Sequence, residues 1–356
     1  MSAFDKPISV GITAEQLAAA LAALPTPSLE LPGELHLVET VPQGYALVEG
    51  LATVARAAIV TPIGSIAPYH SGSYAQAVRL SDGTICMALN CPSYSVAMLY
   101  TLAPGATGWT NSPLPYTYSS GGPFSLAVLP DDSLLLSQAD ITDSPQPVYL
   151  KPKGGAWSNI GTNPHAMGQS TAATLSDGSI LFIGGCLSST GRQAVCSRYV
   201  HGLGFDLAPA YPIAASAIAA GELGDGRVLT AGGETGNQSS ASTAQSFIYT
   251  PGVGWERVGD LPYPVQFADI VTIGAFSYLV GGRRTNGTGN SNILVFSHAS
   301  KTWAVGPDAT GLVSGGPAAG AAALAMADGS ILVAAGNVSP AYYKPGKTFF
   351  YVSKTP

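Results

Sequence analysis

Apolar residues along this chain come in short runs separated by polar turns. Ala172-Ala173-Thr174-Leu175 is followed by Ser176-Asp177-Gly178-Ser179, then Ile180-Leu181-Phe182-Ile183 and Gly184-Gly185. Runs of this length suit strands rather than helices. Asp-Gly between two such runs is a strong hairpin signal, because the turn needs a residue at positive φ. The connecting segments are rich in Gly, Ser, Asn and Pro, the residues of turns. The pattern predicts antiparallel β-structure along most of the chain.

The same unit recurs. Further copies centre on Asp82-Gly83, Asp131-Asp132, Asp225-Gly226 and Asp328-Gly329, with a degenerate one from Ile273-Gly274-Ala275-Phe276 to Gly281-Gly282. The six copies follow one another at steps of 49, 46, 48, about 50 and about 53 residues. A second marker keeps the beat. An aromatic closes the next strand at Tyr100, Tyr149, Tyr199, Tyr249, Phe296 and Tyr351, and Trp109, Trp157, Phe205, Trp255 and Trp303 follow the first five of these. Each copy therefore supplies about four short strands. A lone four-stranded sheet cannot bury both apolar faces, whereas sheets packed radially around an axis can.

These markers resemble the kelch-type β-propellers, in which a Gly-Gly doublet ends the second strand, a Tyr lies in the third and a Trp in the fourth. The match covers about residues 57–356. The doublet is intact at Gly184-Gly185, Gly232-Gly233 and Gly281-Gly282, and is replaced by Leu89-Asn90, Gln138-Ala139 and Ala335-Gly336. The resemblance implies an all-β, six-bladed kelch-like β-propeller over residues 51–356. The last copy ends without a Trp strand, so Ala57-Ala58-Ile59-Val60 is expected to complete that blade and fasten the ring, removing open sheet edges.

Residues 1–50 carry no copy. Thr13-Ala14-Glu15-Gln16 is a capping-box pattern, and Pro25 and Pro27 stop what it starts. The spacing predicts a short helix over about 13–24 with Leu17, Leu21 and Leu24 on one face. So short a helix is marginal alone and must dock on its own propeller, a symmetry mate or a different protein, the last two making it an attachment or oligomerisation element. Pro25 to Pro42 reads as a strap or linker.

Composition narrows the function. Only 10% of residues are charged and the net charge is −6, of which residues 1–50 hold −5 (six acidic residues against Lys6). There is no basic footprint for nucleic acid. Apolar residues make up 46%, yet no run approaches the roughly 18 residues of a membrane span. Four cysteines are too few for a disulfide scaffold. The first residues lack a signal-peptide pattern, so cytoplasmic synthesis is expected.

Local catalytic signatures are missing. No two of His36, His70, His165, His201 and His298 lie within ten residues of each other, so metal-ligand spacing is absent. There is no nucleophile elbow and no phosphate loop. No metal and no cofactor is expected. Aligning the copies puts Cys91, Asp140, Cys186, Glu234, Arg283 and Asn337 in one column, at the start of the loop between the second and third strands. Cys186 and Cys196 flank one such loop and could pair if oxidised, although reduced, buried thiols fit better. In kelch domains these loops share a face with the segments entering each blade. That face is expected to bind ligand through Tyr116, Tyr118, Asp140, Tyr211, Glu234, Tyr263, Arg283, Arg284, Tyr342 and Tyr343, since tyrosine and arginine combine large area with directional hydrogen bonds.

The expected function is non-enzymatic: a virion structural or receptor-binding protein of the phage tail, fibre or spike type. The opening residues, Pro7-Ile8-Ser9-Val10 and Thr13 to Leu21, resemble the start of many phage structural proteins. The expected partners are other virion proteins or a host cell-surface glycan or protein, with homo-oligomerisation through the N-terminal arm. A cellular kelch-type interaction module and a carbohydrate-acting propeller enzyme are the alternatives.

Overall fold

The structure, a computed structural model, describes residues 74–91, 96–116, 124–137, 146–164, 168–236, 241–308, 320–327 and 329–335, together with the backbone of seven strands outside those ranges. These seven are β1 (Leu29–Glu30), β2 (Leu35–Val38), β3 (Tyr45–Leu47), β4 (Val54–Ala55), β5 (Ile59–Pro62), β28 (Val338–Lys344) and β29 (Thr348–Lys354). Among the described residues there is no helix.

The described core is an all-β propeller. Five blades are each an antiparallel sheet of four consecutive strands. The first holds β6 (Tyr74–Arg79), β7 (Ile85–Cys91), β8 (Val96–Leu102) and β9 (Thr110–Pro113). The second holds β10 (Ser125–Val128), β11 (Leu134–Ser137), β12 (Gln146–Lys151) and β13 (Ser158–Asn163). The third holds β14 (Thr171–Thr174), β15 (Ile180–Leu187), β16 (Gly191–Val200) and β17 (Gly204–Ala208). The fourth holds β18 (Ala219–Glu222), β19 (Val228–Ala231), β20 (Ser246–Thr250) and β21 (Gly254–Arg257). The fifth holds β22 (Val265–Ile273), β23 (Phe276–Arg284), β24 (Asn292–Ser297) and β25 (Thr302–Asp308).

A further four-stranded sheet is composite. β26 (Ala322–Ala325) and β27 (Ile331–Ala335) continue into β28, whose other neighbour is β5. Ala341, Tyr342, Tyr343 and Lys344 stand opposite Pro62, Thr61, Val60 and Ile59.

Each Asp turn folds for the reason its residues suggest. Leu80 N–H donates to Thr84 O at 2.8 Å, Gly83 N–H donates to Leu80 O at 3.0 Å, and Gly83 has φ 87°. This is a tight turn followed by one left-handed residue, a common three-residue hairpin loop. Asp82 Oδ1 accepts Thr84 N–H at 2.9 Å, and Asp131, Asp177 and Asp225 do the same two residues on. The second sequence marker is a cross-strand aromatic pair. Tyr199–Phe205, Tyr249–Trp255 and Phe296–Trp303 have ring centroids 5.0, 5.0 and 5.1 Å apart.

Burial lies between sheets. Leu181, Ile183 and Ala173 of the third blade pack with Ile218, Val228 and Phe247 of the fourth. Ile85, Met87 and Leu89 of the first pack with Ala322, Leu332 and Ala334 of the composite sheet. The first strands touch in the cyclic order β6, β10, β14, β18, β22, β26 and back to β6.

Two expectations change here, and a third, the predicted helix over 13–24, lies outside the described residues. Pro25 to Pro42 is not a plain strap, because β1 and β2 fall within it, and β2 pairs with β29. Tyr351 does not close a third strand. It lies in β29, in a separate sheet of order β1-β2-β29-β3 with β4 also on β29. The third strand of the last copy is β28, where Tyr343 stands opposite Ile331 much as Tyr199 stands opposite Ile180.

Candidate functional site

The face formed by the blade-entering segments and the loops after the second strands holds three members of the expected column, Cys186, Glu234 and Arg283. Gly184 (φ 60°) and Gly232 (φ 67°) begin two doublets there. Gly185 N–H donates to Ala215 O and Gly233 N–H to Val265 O, each at 2.8 Å. Both acceptors belong to the segment entering the next blade. A Cβ on Gly184 or Gly232 would collide with the same carbonyl oxygen. The doublet therefore seats one blade's loop against its neighbour and fixes the residue that follows: Cys186, Glu234 or Arg283.

Glu234 is the centre of this arrangement. Its side chain is 3% exposed and pairs with Arg192, itself 9% exposed. Arg283, one third exposed, reaches the other oxygen of Glu234 at 3.3 Å. Arg192 Nη1 also lies 2.9 Å from Cys186 Sγ. Gln266 stands opposite Arg283 across β22 and β23. Its amide is assigned from its surroundings: the nitrogen donates to Glu234 Oε1 at 2.9 Å, and the oxygen accepts from Arg283 Nε at 2.6 Å. The Arg283 guanidinium sits 5.1 Å from the Phe267 ring centroid. A carboxylate so buried is tolerable only with such partners. Two guanidinium groups on one carboxylate leave the cluster with an excess positive charge. The buried Nε of Arg192 has no hydrogen-bond partner among the described residues.

Beside it, Arg284 stacks on Tyr263 at 3.8 Å from the centroid, and Tyr263 Oη donates to Asn290 Oδ1 at 2.9 Å. Burial pushes the Tyr263 phenol up from its ordinary value.

The cluster rims a central channel. Ala217 N–H donates to Gln169 O, Phe267 N–H to Ala217 O, Gly320 N–H to Phe267 O and Ala75 N–H to Gly320 O, at 2.8–3.1 Å. This hoop links neighbouring blades around the mouth. Gln169, Ala217 and Phe267 adopt φ 59°, 51° and 57° to make it, a conformation that non-glycine residues seldom accept.

The other expected site residues fare differently. Tyr211 is a core residue, 2% exposed, edge-on to Trp255 and Phe247, with its hydroxyl on Thr230 Oγ1 at 3.2 Å. Burial raises its phenol well above the usual range, so it does not offer itself to a ligand. Tyr116 is half-buried beside Tyr149. Tyr342 and Tyr343 are strand residues of β28 rather than loop residues. Tyr118, Asp140, Leu17, Leu21 and Leu24 lie outside the described residues. Cys186 and Cys196 are both free and buried rather than paired, and burial pushes the Cys196 thiol up to about 11. Among the described residues, no three His, Cys, Asp or Glu side chains converge as metal ligands, and no helix is long and apolar enough to cross a membrane.

Sequence reasoning missed Arg192, Gln266, Phe267 and Asp269. Asp269 had a visible signal, as the one charge in the run Val265-Gln-Phe-Ala-Asp-Ile-Val-Thr-Ile273. Arg192 had none, because its position depends on how the loop after Cys186 folds back.

No family model and no curated protein matches the chain. Among solved structures it is similar to one described as "Structure of YjhT", with a TM-score of 0.60 over 79% of this chain and 95% of that one, at 14% sequence identity. At that identity the likeness speaks for the propeller fold alone.

Proposed function

We propose that this chain is a six-bladed, kelch-type propeller that serves as a binding module of a virion. Its loop face takes a host-surface glycan or protein, and its N-terminal residues attach it to the particle or to further copies of itself. In this reading the composite sheet is the sixth blade, and β5 on β28 is the fastening. The cyclic contact of the first strands supports that closure.

One observation carries the binding reading. Arg192, Glu234, Arg283 and Gln266 converge from three blades at the channel mouth, next to the ring of Phe267. Partly exposed Arg283 offers directional donors to a polar ligand, while buried Arg192 and Glu234 hold it in place. Preorganised charge of this kind favours recognition. The site suits hydroxyl-rich or acidic groups better than an apolar one.

The test is a panel of bacterial surface polysaccharides and intact cells, probed with the labelled full chain and with Arg283→Ala. The wild type should bind at least one member saturably. Arg283→Ala should bind it about tenfold or more weakly, the loss of one charged hydrogen-bonding group, when both proteins are compared well below the melting temperature of the variant, which loses a partner of buried Glu234. No retention of the wild type on any glycan or cell overturns the reading.

A further inference from the structure

The channel below the mouth is two chambers meeting at a waist. The chamber nearer the mouth is small, about 60 Å³, and is walled by Phe124, Gln169, Ala217, Phe267 and Gly320. The deeper one is about 410 Å³ and is walled by the first strands of the five blades and of the composite sheet. Only Gln76, Thr171 and Asp269 line both. They stand on β6, β14 and β22, alternate members of the cyclic order, so three polar residues from alternate strands line the channel where the two chambers share their walls.

All three carry oxygen. Asp269 Oδ1 accepts the N–H of Ile270 and Oδ2 that of Ala323, both at 2.9 Å. Gln76 Oε1 accepts the N–H of Leu126 at 2.7 Å. These bonds orient the oxygens and tie β22 to β26 and β6 to β10. Each oxygen retains acceptor capacity after one bond. No described side chain forms an ion pair with Asp269; the salt bridges of the described residues lie elsewhere. The deeper chamber also holds Glu222 and Arg79. Glu222 is engaged with Gly226 N–H at 2.7 Å, and Arg79 is exposed. Asp269 thus lines the channel inside the ring with no ion-pair partner among the described residues.

We propose that the waist is a cation site, in which Asp269, Thr171 and Gln76 supply oxygens to a hard cation of the calcium class and channel water completes its shell. An all-oxygen donor set with one carboxylate selects against soft metals. Irregular spacing around a ring suits Ca²⁺, which accepts varied geometry, better than Mg²⁺, which demands a near-ideal octahedron. Neighbouring β18 presents Glu222, β23 carries Arg283 and Arg284 at the mouth, β6 contributes Arg79, and the described β26 has no charged residue. The cation binds on the axis and locks β22 to its neighbours. The site is separate from the ligand contacts at the mouth.

The test is thermal unfolding of the full chain after chelator treatment and dialysis, with CaCl₂ at about 1 mM, MgCl₂ at the same concentration, or NaCl at matched ionic strength. A ligand that binds only the folded state raises the melting temperature. CaCl₂ should raise it by about 3 °C or more at pH 8. Asp269→Asn should abolish the response. Should that variant fail to fold, Thr171→Val, which removes one waist oxygen, should reduce it. A wild type indifferent to CaCl₂ beyond the NaCl control overturns the proposal. So does an unchanged response in Asp269→Asn, or in Thr171→Val where that variant stands in for it.

Discussion

Asp132 occupies the turn position that glycine holds in four other copies. Gly83, Gly178, Gly226 and Gly329 have φ 78–87° there, and Asp132 adopts 64°. Aspartate tolerates this region better than most residues, and here its carboxylate is put to use. It accepts Ser81 N–H at 2.7 Å and Ser81 Oγ–H at 2.6 Å from the neighbouring blade, and Lys153 Nζ lies 2.6 Å away. The Lys153 ammonium and the Ser81 bonds hold its carboxyl down at about 2. Its contribution is therefore present above the unfolded carboxylate range near 4 and is lost as pH falls through about 2. Asp132→Asn should flatten the acid side of the stability–pH profile between about 4 and 2. A variant profile parallel to the wild type there contradicts the assignment. The doublet offers a second residue-scale prediction. Gly232→Ala adds a Cβ against Val265 O at a positive φ, and should cost about 2 kcal/mol or more in chemical denaturation. A loss under about 0.5 kcal/mol, the range of an ordinary surface substitution, contradicts the close approach. Both positions were legible as turn and doublet residues. Their bonds to a neighbouring blade were not, because sequence spacing shows a unit and not what it packs against.

At the scale of elements, five consecutive four-stranded sheets follow from the repeat almost directly. Short apolar runs, Asp turns and paired aromatics are local properties, and each has its own signature. The last copy was misread for a physical reason. Its loop between the second and third strands is short, with Ala335 already opposite Val338, so β28 begins inside the stretch that the period assigned to a loop. Tyr342 and Tyr343 thereby became expected binding residues, and Tyr351 an expected strand marker. The N-terminal strand expected near 57–60 has a counterpart in β5, which covers Ile59–Pro62 and pairs with β28 in register. Deleting residues 51–62 removes β4 and β5 and leaves β28 with an unpaired edge. The truncated protein should melt well below the full chain in a single lowered transition, because each sheet packs on both neighbours. Melting together with the parent contradicts a fastening role for β5.

At the scale of the molecule, function depends on what the ring brings to its axis. Arg192, Glu234 and Arg283 come from three different blades, and Gln76, Thr171 and Asp269 from three alternate ones. The column Cys186, Glu234 and Arg283 was legible, since equivalent repeat positions form a ring. Arg192 was not, because a loop carries it inward. Tyr211 was misassigned, since composition cannot tell a loop aromatic from one folded under the next blade. The proposed binding role requires that the loop face, and not the opposite face of Asp turns, meets the ligand. The most direct measurement attaches a bulky maleimide polymer to Thr285→Cys, exposed in the loop after Arg284, or to Val253→Cys, 85% exposed at the tip of the β20–β21 turn on the opposite face. Binding of each conjugate to intact bacterial cells is then compared with that of its unconjugated parent. The polymer at position 285 should block binding, and that at position 253 should leave it intact. Equal binding by both conjugates, or a block only from position 253, would contradict that role.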